Sequence, residues 1–173
     1  YRVEGSFILY DLKKDLYTFY NPSQQDSPFS PASTFKICNS LIALETGVAV
    51  DENFVIKWDG VFNPNPDWNR DYNLKDAFKN STVWYYQELA RRTGREKIQL
   101  WLDSCRYGNR NISGPIDYFW ITGDLRITPM QQIAFLKSLY ENKLPFSQRS
   151  MDITKKIMIK SYLSQYTLRV KTG

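Results

Sequence analysis

The order of apolar and polar positions predicts strands at both ends of the chain. Residues 5–11 and 16–20 are rich in aromatic and β-branched residues, and the polar stretch Lys13-Lys14-Asp15 separates them. Two such runs around a short polar stretch are typical of an antiparallel hairpin. Residues 166–171 alternate between apolar and polar side chains, which predicts a half-buried strand near the end.

The apolar spacing between these strands is helical. Seven of the ten positions from 35 to 44 are apolar, and they lie on nearly all sides of a helix that ends before Gly47, which predicts that this helix is buried. Ser30 is a suitable N-cap and Pro31 a suitable first helical residue. Further helices are predicted over 73–80, 83–92, 95–105, 128–139 and 150–160. Segments 51–72 and 107–125 are rich in Pro, Gly, Asn or Asp and are predicted to be irregular.

Strands at both ends with helices between them predict the α+β class. We expect the N- and C-terminal strands to share one antiparallel sheet around a largely helical region. The length of 173 residues suits a single domain, residues 1–173.

Composition and charge exclude several classes of function. The chain is 42% hydrophobic and 16% aromatic, which favours a folded core over disorder. Its net charge is +5, but the basic pairs at 13–14, 91–92 and 155–156 lie far apart, so we predict no nucleic-acid partner. No apolar run reaches the roughly 18 residues of a membrane span, and no signal peptide is recognisable.

The chain contains no histidine. A Ser-His-Asp triad and nearly all common zinc sites are therefore excluded, and we predict no metal centre. Cys38 and Cys105 lack the spacing of metal ligands, and Cys38 falls on the apolar helix. We interpret both as free thiols rather than a disulfide.

A hydroxyl and an amine coincide at the start of the buried helix. Ser33 and Lys36 are three residues apart, which places them on one helix face. A lysine with the usual pKa of about 10.4 is a poor base, but full burial lowers that pKa by roughly 3–5 units. Phe35 and Ile37 suggest such burial. Lys36 could then activate Ser33 as a nucleophile.

Four short strings follow one another along the chain: Ser33-Thr34-Phe35-Lys36, Ser81-Thr82-Val83, Tyr107-Gly108-Asn109 and Lys171-Thr172-Gly173. Their order and spacing resemble the serine-active penicillin-recognising enzymes, which use Ser-x-x-Lys, a second serine motif and Lys-Thr-Gly. Within that superfamily the chain looks like a class D (OXA-type) serine β-lactamase. The third string and the apolar end of the second match that class, as does Trp120, 13 residues after Tyr107. Trp68 and Asp71 match its Trp-x-x-Asp pattern.

The resemblance implies hydrolysis of β-lactam antibiotics. Ser33 would be the nucleophile, and Lys36 the base, with carbon dioxide bound as an N-carboxylate and no separate cofactor. Ser81 would pass a proton to the leaving nitrogen. Lys171 would attract the substrate carboxylate.

Other residues would form the surroundings of these four. The resemblance implies substrate contacts from Trp68, Thr172 and Gly173. It implies a carbamate pocket lined by Phe35, Val83, Trp120 and Ile121, with the Trp120 indole N–H as a donor.

Each of these residues also has a plainer interpretation. Val83 and Trp120 taken singly would be core residues, and Lys171 an exposed lysine on a strand. The segment Tyr107-Gly108-Asn109 could be a simple turn, so its role stays open.

Parts of the family pattern lie outside the given sequence. A donor N–H directly after Lys-Thr-Gly, further strands, a final helix, a downstream arginine and an N-terminal helix are expected from the resemblance and are not found. We therefore expect the chain to be truncated at both ends. We also expect the strand at 166–172 to lose a sheet partner with the missing segment and so to leave an exposed edge.

Two other functions compete with hydrolysis. The sensor domains of β-lactam-inducible receptors share these motifs but stay acylated, and cell-wall transpeptidases share the superfamily. Val83 favours hydrolysis over both, because those proteins more often have a polar residue there. The resemblance implies a periplasmic or secreted location.

Overall fold

A buried helix lies at the centre of the molecule, which we describe from a computed structural model covering residues 5–173. A 3₁₀ turn, Ala32–Phe35, leads directly into α1, Lys36–Glu45. All residues of α1 except the last are buried. The predicted burial of this helix on all sides is confirmed.

The predicted cap of this helix is wrong. Pro31, not Ser30, precedes the 3₁₀ turn, and no side chain caps that turn. The Ser30 hydroxyl instead donates to the backbone carbonyls of Trp120 and Ile121, at 3.0 and 3.1 Å. The hydroxyl finds these acceptors on a distant loop, and this tertiary contact replaces the local one.

Two hairpins flank the helices. β1, Phe7–Asp11, pairs antiparallel with β2, Leu16–Tyr20, as predicted. β6, Tyr166–Arg169, lies where the last strand was predicted, but it pairs with β5, Ile159–Leu163. Among the described residues β5 is the partner of β6 in a two-stranded ladder, so β6 has one paired edge and one edge without a strand.

The last predicted helix is too long at its end. α6 runs over Gln148–Ile157, starting after the N-cap Ser147. Residues 159–160 belong to β5, because a tight turn after Leu163 lets this segment pair with β6. Pairing across a short turn closes only a small loop and so costs little entropy.

The α+β class is confirmed, with a different arrangement of strands from the one expected. Within residues 5–173 the terminal hairpins do not share one sheet, and each forms its own two-stranded ladder. A third ladder joins β3, Val55–Ile56, to β4, Tyr72–Asn73, inside the segment predicted to be irregular.

The remaining helices form around α1 close to their predicted positions. They are α2 over Leu74–Lys79, α3 over Val83–Thr93, α4 over Arg95–Ser104 and α5 over Pro129–Tyr140. Thr128 and Gln131 form a capping box at the start of α5. In the described part of the chain, no helix has the length and apolar character needed to cross a membrane. Cys38 and Cys105 are free thiols, as predicted.

Candidate active site

Ser33 and Lys36 are in direct contact. The Lys36 amine donates to the Ser33 hydroxyl at 2.8 Å, and the Lys36 residue is 1% exposed. Burial, and then the positive charge of Lys171, lower the pKa of Lys36 to about 7. Lys36 therefore loses its proton far more readily than an exposed lysine, and a neutral amine can take the hydroxyl proton.

Aromatic rings pack around Phe35, the residue directly before Lys36. The Phe35 ring packs against Phe119, Trp120 and Tyr107, with centroids 5.2, 5.4 and 5.6 Å apart. Phe35 and Trp120 are buried, whereas Val83 and Ile121 are half-buried. The four residues expected to line a pocket at Lys36 thus lie on three separate segments of the chain.

The loop that carries Trp120 is tied to the turn that carries Ser33. The Ala32 N–H donates to the Trp120 carbonyl at 3.0 Å, next to the two bonds from Ser30. The Trp120 indole Nε1 is buried and has no hydrogen-bond partner among residues 5–173. A buried donor without an acceptor costs about 1–3 kcal/mol, so this N–H suits an acceptor supplied from outside the bare chain.

Ser81 and Lys171 form a second pair. The Lys171 amine donates to the Ser81 hydroxyl at 2.9 Å and to the Thr172 carbonyl at 2.8 Å. Burial lowers the pKa of Lys171 to about 8. Ser81 lies between α2 and α3 with a φ of +55°, a left-handed conformation that is unusual for a serine.

The end of the chain lies against the nucleophile turn. A Cβ added at Gly173 would be 2.8 Å from Thr34 Cγ2, so only a small residue fits there. Thr172 and Gly173 are exposed, and Lys171 is half-buried. The Lys-Thr-Gly string therefore runs from the second serine to the first.

Trp68 lies beside the second serine motif rather than next to Ser33. Its indole N–H donates to the Asn80 carbonyl at 3.3 Å, and its own carbonyl accepts from Trp84 Nε1 at 2.8 Å. Trp68 is half-buried, at the edge of the site. Asp71 accepts from the Trp58 backbone N–H and orders the same loop.

Tyr107, Gly108 and Asn109 connect two loops. The Asn109 side chain accepts from the Arg126 N–H at 3.0 Å and donates to the Asp124 carbonyl at 2.8 Å. Gly108 has a φ of +52°, and a Cβ there would be 2.0 Å from the Arg126 carbonyl oxygen. The string is therefore a turn, as one interpretation of the sequence had it. Its glycine and asparagine bind the turn to residues 124–126, and the buried Tyr107 ring packs against Phe35.

Two residues of this site have no place in the sequence-based prediction. Tyr86 lies on α3 with its ring centroid 5.4 Å from the Lys36 amine, and Ser40 bonds both the Tyr86 hydroxyl and the Lys36 carbonyl. Tyr86 follows Val83 by three residues, so the helical spacing of α3 already places them on one face. That spacing was the available signal.

The described residues hold no group of three His, Cys, Asp or Glu side chains suited to a metal ion.

Known proteins are similar to this chain in sequence. Residues 5–173 match the family described as the penicillin binding protein transpeptidase domain. The probable β-lactamase YbxI of Bacillus subtilis is 44% identical over 98% of this chain, and the chain spans 64% of that relative's length. The regulatory protein BlaR1 of Bacillus licheniformis is 36% identical over the whole chain, which spans 29% of it.

A solved structure shares the fold. The class D β-lactamase YbXI from Nostoc is 46% identical, with a TM-score of 0.96 over 98% of this chain and 72% of that one. Sequence and fold therefore agree that the chain belongs to the penicillin-binding transpeptidase family and, within it, to the class D β-lactamases.

Proposed function

We propose that the protein hydrolyses β-lactam antibiotics through an acyl-enzyme on Ser33. The observation that carries this proposal is the 2.8 Å contact between the Ser33 hydroxyl and the buried Lys36 amine. Burial lowers the pKa of this amine to about 7, so it can accept a proton at neutral pH. Two of the three proteins compared above, from Bacillus subtilis and Nostoc, are named as β-lactamases, which supports the same chemistry.

Acylation opens the lactam ring at its amide bond. Ser33 Oγ attacks the carbonyl carbon while its proton leaves toward Lys36, and the Ser33 N–H contributes a donor to the oxyanion. The lactam C–N bond then breaks, and the nitrogen takes a proton from Ser81, which in turn receives the proton that Lys36 took from Ser33. Ser81 can release its own proton because its oxygen accepts a hydrogen bond from Lys171, which also attracts the substrate carboxylate.

The residues around Lys36 fit a bound carbon dioxide. A carboxylate on the Lys36 nitrogen would offer acceptor oxygens to the orphaned Trp120 N–H, within the apolar surroundings of Phe35, Val83 and Ile121. When bound, it would supply an anionic base. We propose Lys36 as the residue that would hold it. The step that such a base would assist is deacylation, in which water attacks the acyl carbonyl and Ser33 regains its proton.

A second candidate is a β-lactam sensor that is acylated and does not turn over. The match to the regulatory protein BlaR1 over the whole chain favours it. Val83 and the orphaned Trp120 donor favour hydrolysis, because both suit a carboxylated lysine that speeds deacylation. The two candidates differ in the lifetime of the adduct.

Mass spectrometry after addition of penicillin to the full-length protein tests both points. We expect an adduct that maps to Ser33, disappears within minutes of substrate exhaustion and is absent from Ser33→Ala. Ser81→Ala serves as the control, because it should still acylate, more slowly. An adduct on Ser81 would contradict the assignment, and one that persists for hours would mean a sensor.

We further propose a periplasmic or extracellular location, which the class D resemblance implies. Cell fractionation with a nitrocefin assay of each fraction tests it.

A further inference from the structure

Tyr86 lies directly against the lysine of the site. It is fully buried on α3, and the Lys36 amine sits over its ring, 5.4 Å from the centroid. A cation within about 6 Å of an aromatic face is attracted by the negative charge of that face. No other aromatic ring within residues 5–173 makes such a contact with Lys36.

A chain of hydrogen bonds fixes the position of the ring. Ser40 Oγ donates to the Lys36 carbonyl at 2.7 Å and lies 2.9 Å from the Tyr86 hydroxyl. Since the single Ser40 proton goes to the carbonyl, the Tyr86 hydroxyl donates to Ser40. Lys36, Ser40 and Tyr86 thus form a closed loop that holds the ring face toward the amine.

The ring acts against the other influences on Lys36. Burial disfavours the charged form of Lys36. The positive charge of Lys171, which follows β6, disfavours it as well, so both effects lower the pKa of Lys36. The Tyr86 face favours the ammonium and disfavours an anion at the same place. Trp120 Nε1, on the opposite loop, is a neutral donor.

From this arrangement we infer that Tyr86 is a positioning residue whose ring face sets the balance between charged and neutral Lys36, and so its readiness to act as a base. This inference rests on the proposed function, in which Lys36 must be neutral to accept a proton or carbon dioxide.

A series of phenylalanines with zero to three ring fluorines at position 86 of the full-length protein tests the inference. Fluorine withdraws charge from the ring face and hardly changes its shape, so the fold should be kept. The readout is the pH titration of Lys36 in protein labelled with [ε-¹³C]lysine, in buffer free of carbon dioxide. Lys36→Arg assigns the signal.

We expect the Lys36 midpoint to fall stepwise with each fluorine, by about one pKa unit in total. The same series at Tyr85 is the matched control. Tyr85 is equally buried and adjacent, but its hydroxyl donates to the Phe54 carbonyl, and its ring does not lie over Lys36. The midpoint of the Lys36 titration should stay constant across the series at position 85.

A flat series at position 86, or equal slopes at 85 and 86, would overturn the inference and leave Tyr86 a core residue. The titration needs neither substrate nor carbon dioxide. A stepwise shift in a protein that does not turn over penicillin would therefore support the role of Tyr86 and contradict the proposed function, so the two failures are distinguishable.

Discussion

At the scale of single residues, two buried polar groups of the site lack a partner that would offset the cost of their burial. Lys36 is buried without a carboxylate partner, and Trp120 Nε1 is buried without an acceptor among the described residues. Both groups lower the stability of the bare chain, because burying a charge or a polar group costs free energy unless the group is paired. Perturbed groups of this kind cluster at functional sites. The two therefore point to one missing partner, the carboxylate that we propose on Lys36.

The pKa of Lys36 predicts the pH dependence of acylation. Burial and Lys171 lower this pKa, so the neutral form is present above about pH 7 and lost below it. We expect the acylation rate constant to fall about tenfold per pH unit below that value. Stopped-flow kinetics with a chromogenic penicillin between pH 5 and 9 measure it. A profile that stays level down to pH 5 would contradict Lys36 as the base.

Removing the orphaned donor should make the protein depend more on carbon dioxide. Trp120→Phe keeps a ring but loses the N–H, so a carboxylate on Lys36 loses a hydrogen bond of about 1–3 kcal/mol. We expect turnover of penicillin to drop about tenfold or more in degassed buffer and to recover partly with bicarbonate.

The control for this variant is Trp101→Phe, on α4, where the ring stacks on Phe146. That variant should respond to bicarbonate like the wild type. Equal responses in all three proteins would remove Trp120 as the donor to the carboxylate, and no response to bicarbonate in any of them would remove the carboxylate itself.

At the scale of elements, the site depends on loops that are tied to one another rather than on one helix. Ala32 bonds the Trp120 loop, and Asn109 bonds the segment 124–126. Buried rings of Tyr107 and Phe119 then meet under Phe35. A change in one of these connections should therefore reach Lys36 through the packing of Phe35.

Gly108 offers the sharpest test of this connection. Gly108→Ala would place a Cβ 2.0 Å from the Arg126 carbonyl oxygen at a φ of +52°. We expect a loss of about 3 kcal/mol or more in the free energy of unfolding, measured with urea. Penicillin turnover should fall as well, because Tyr107 supports Phe35.

Gly114→Ala is the matched control, since Gly114 also has a positive φ, +87°, but open space around it. It should cost about 1–2 kcal/mol and leave turnover unchanged. Equal losses at both positions would mean that the close approach at Gly108 is unimportant.

At the scale of the whole molecule, the two terminal hairpins expose apolar side chains. Phe7 and Leu9 on β1 are 58% and 52% exposed, and Tyr162 and Tyr166 on the second hairpin are 76% and 66% exposed. Exposed strands with apolar faces and free edges tend to pair with other chains.

We therefore expect residues 1–173, produced alone, to self-associate at micromolar concentration. Leu9→Lys combined with Leu168→Lys should shift the protein toward monomer in sedimentation velocity. Leu100→Lys is the control, because Leu100 is 60% exposed but lies on α4, away from both hairpins. A wild-type chain that sediments as a monomer would contradict this expectation.

The sequence by itself determined the features that depend on near neighbours. Ser33 and Lys36 are three residues apart, so helical geometry alone brings them together. The buried character of α1 and the capping box at Thr128 follow from local spacing in the same way. The motif order was sufficient to indicate the family.

Only the tertiary structure decided the contacts between distant segments. Ser30 bonds a loop 90 residues away, Lys171 reaches Ser81 across the same separation, and Tyr86 meets Lys36 from another helix. Residues 159–160 likewise belong to β5, which pairs with β6, and do not extend α6. Local propensity cannot predict such choices, because a hydroxyl, a ring or a strand takes whichever partner the packed chain places beside it.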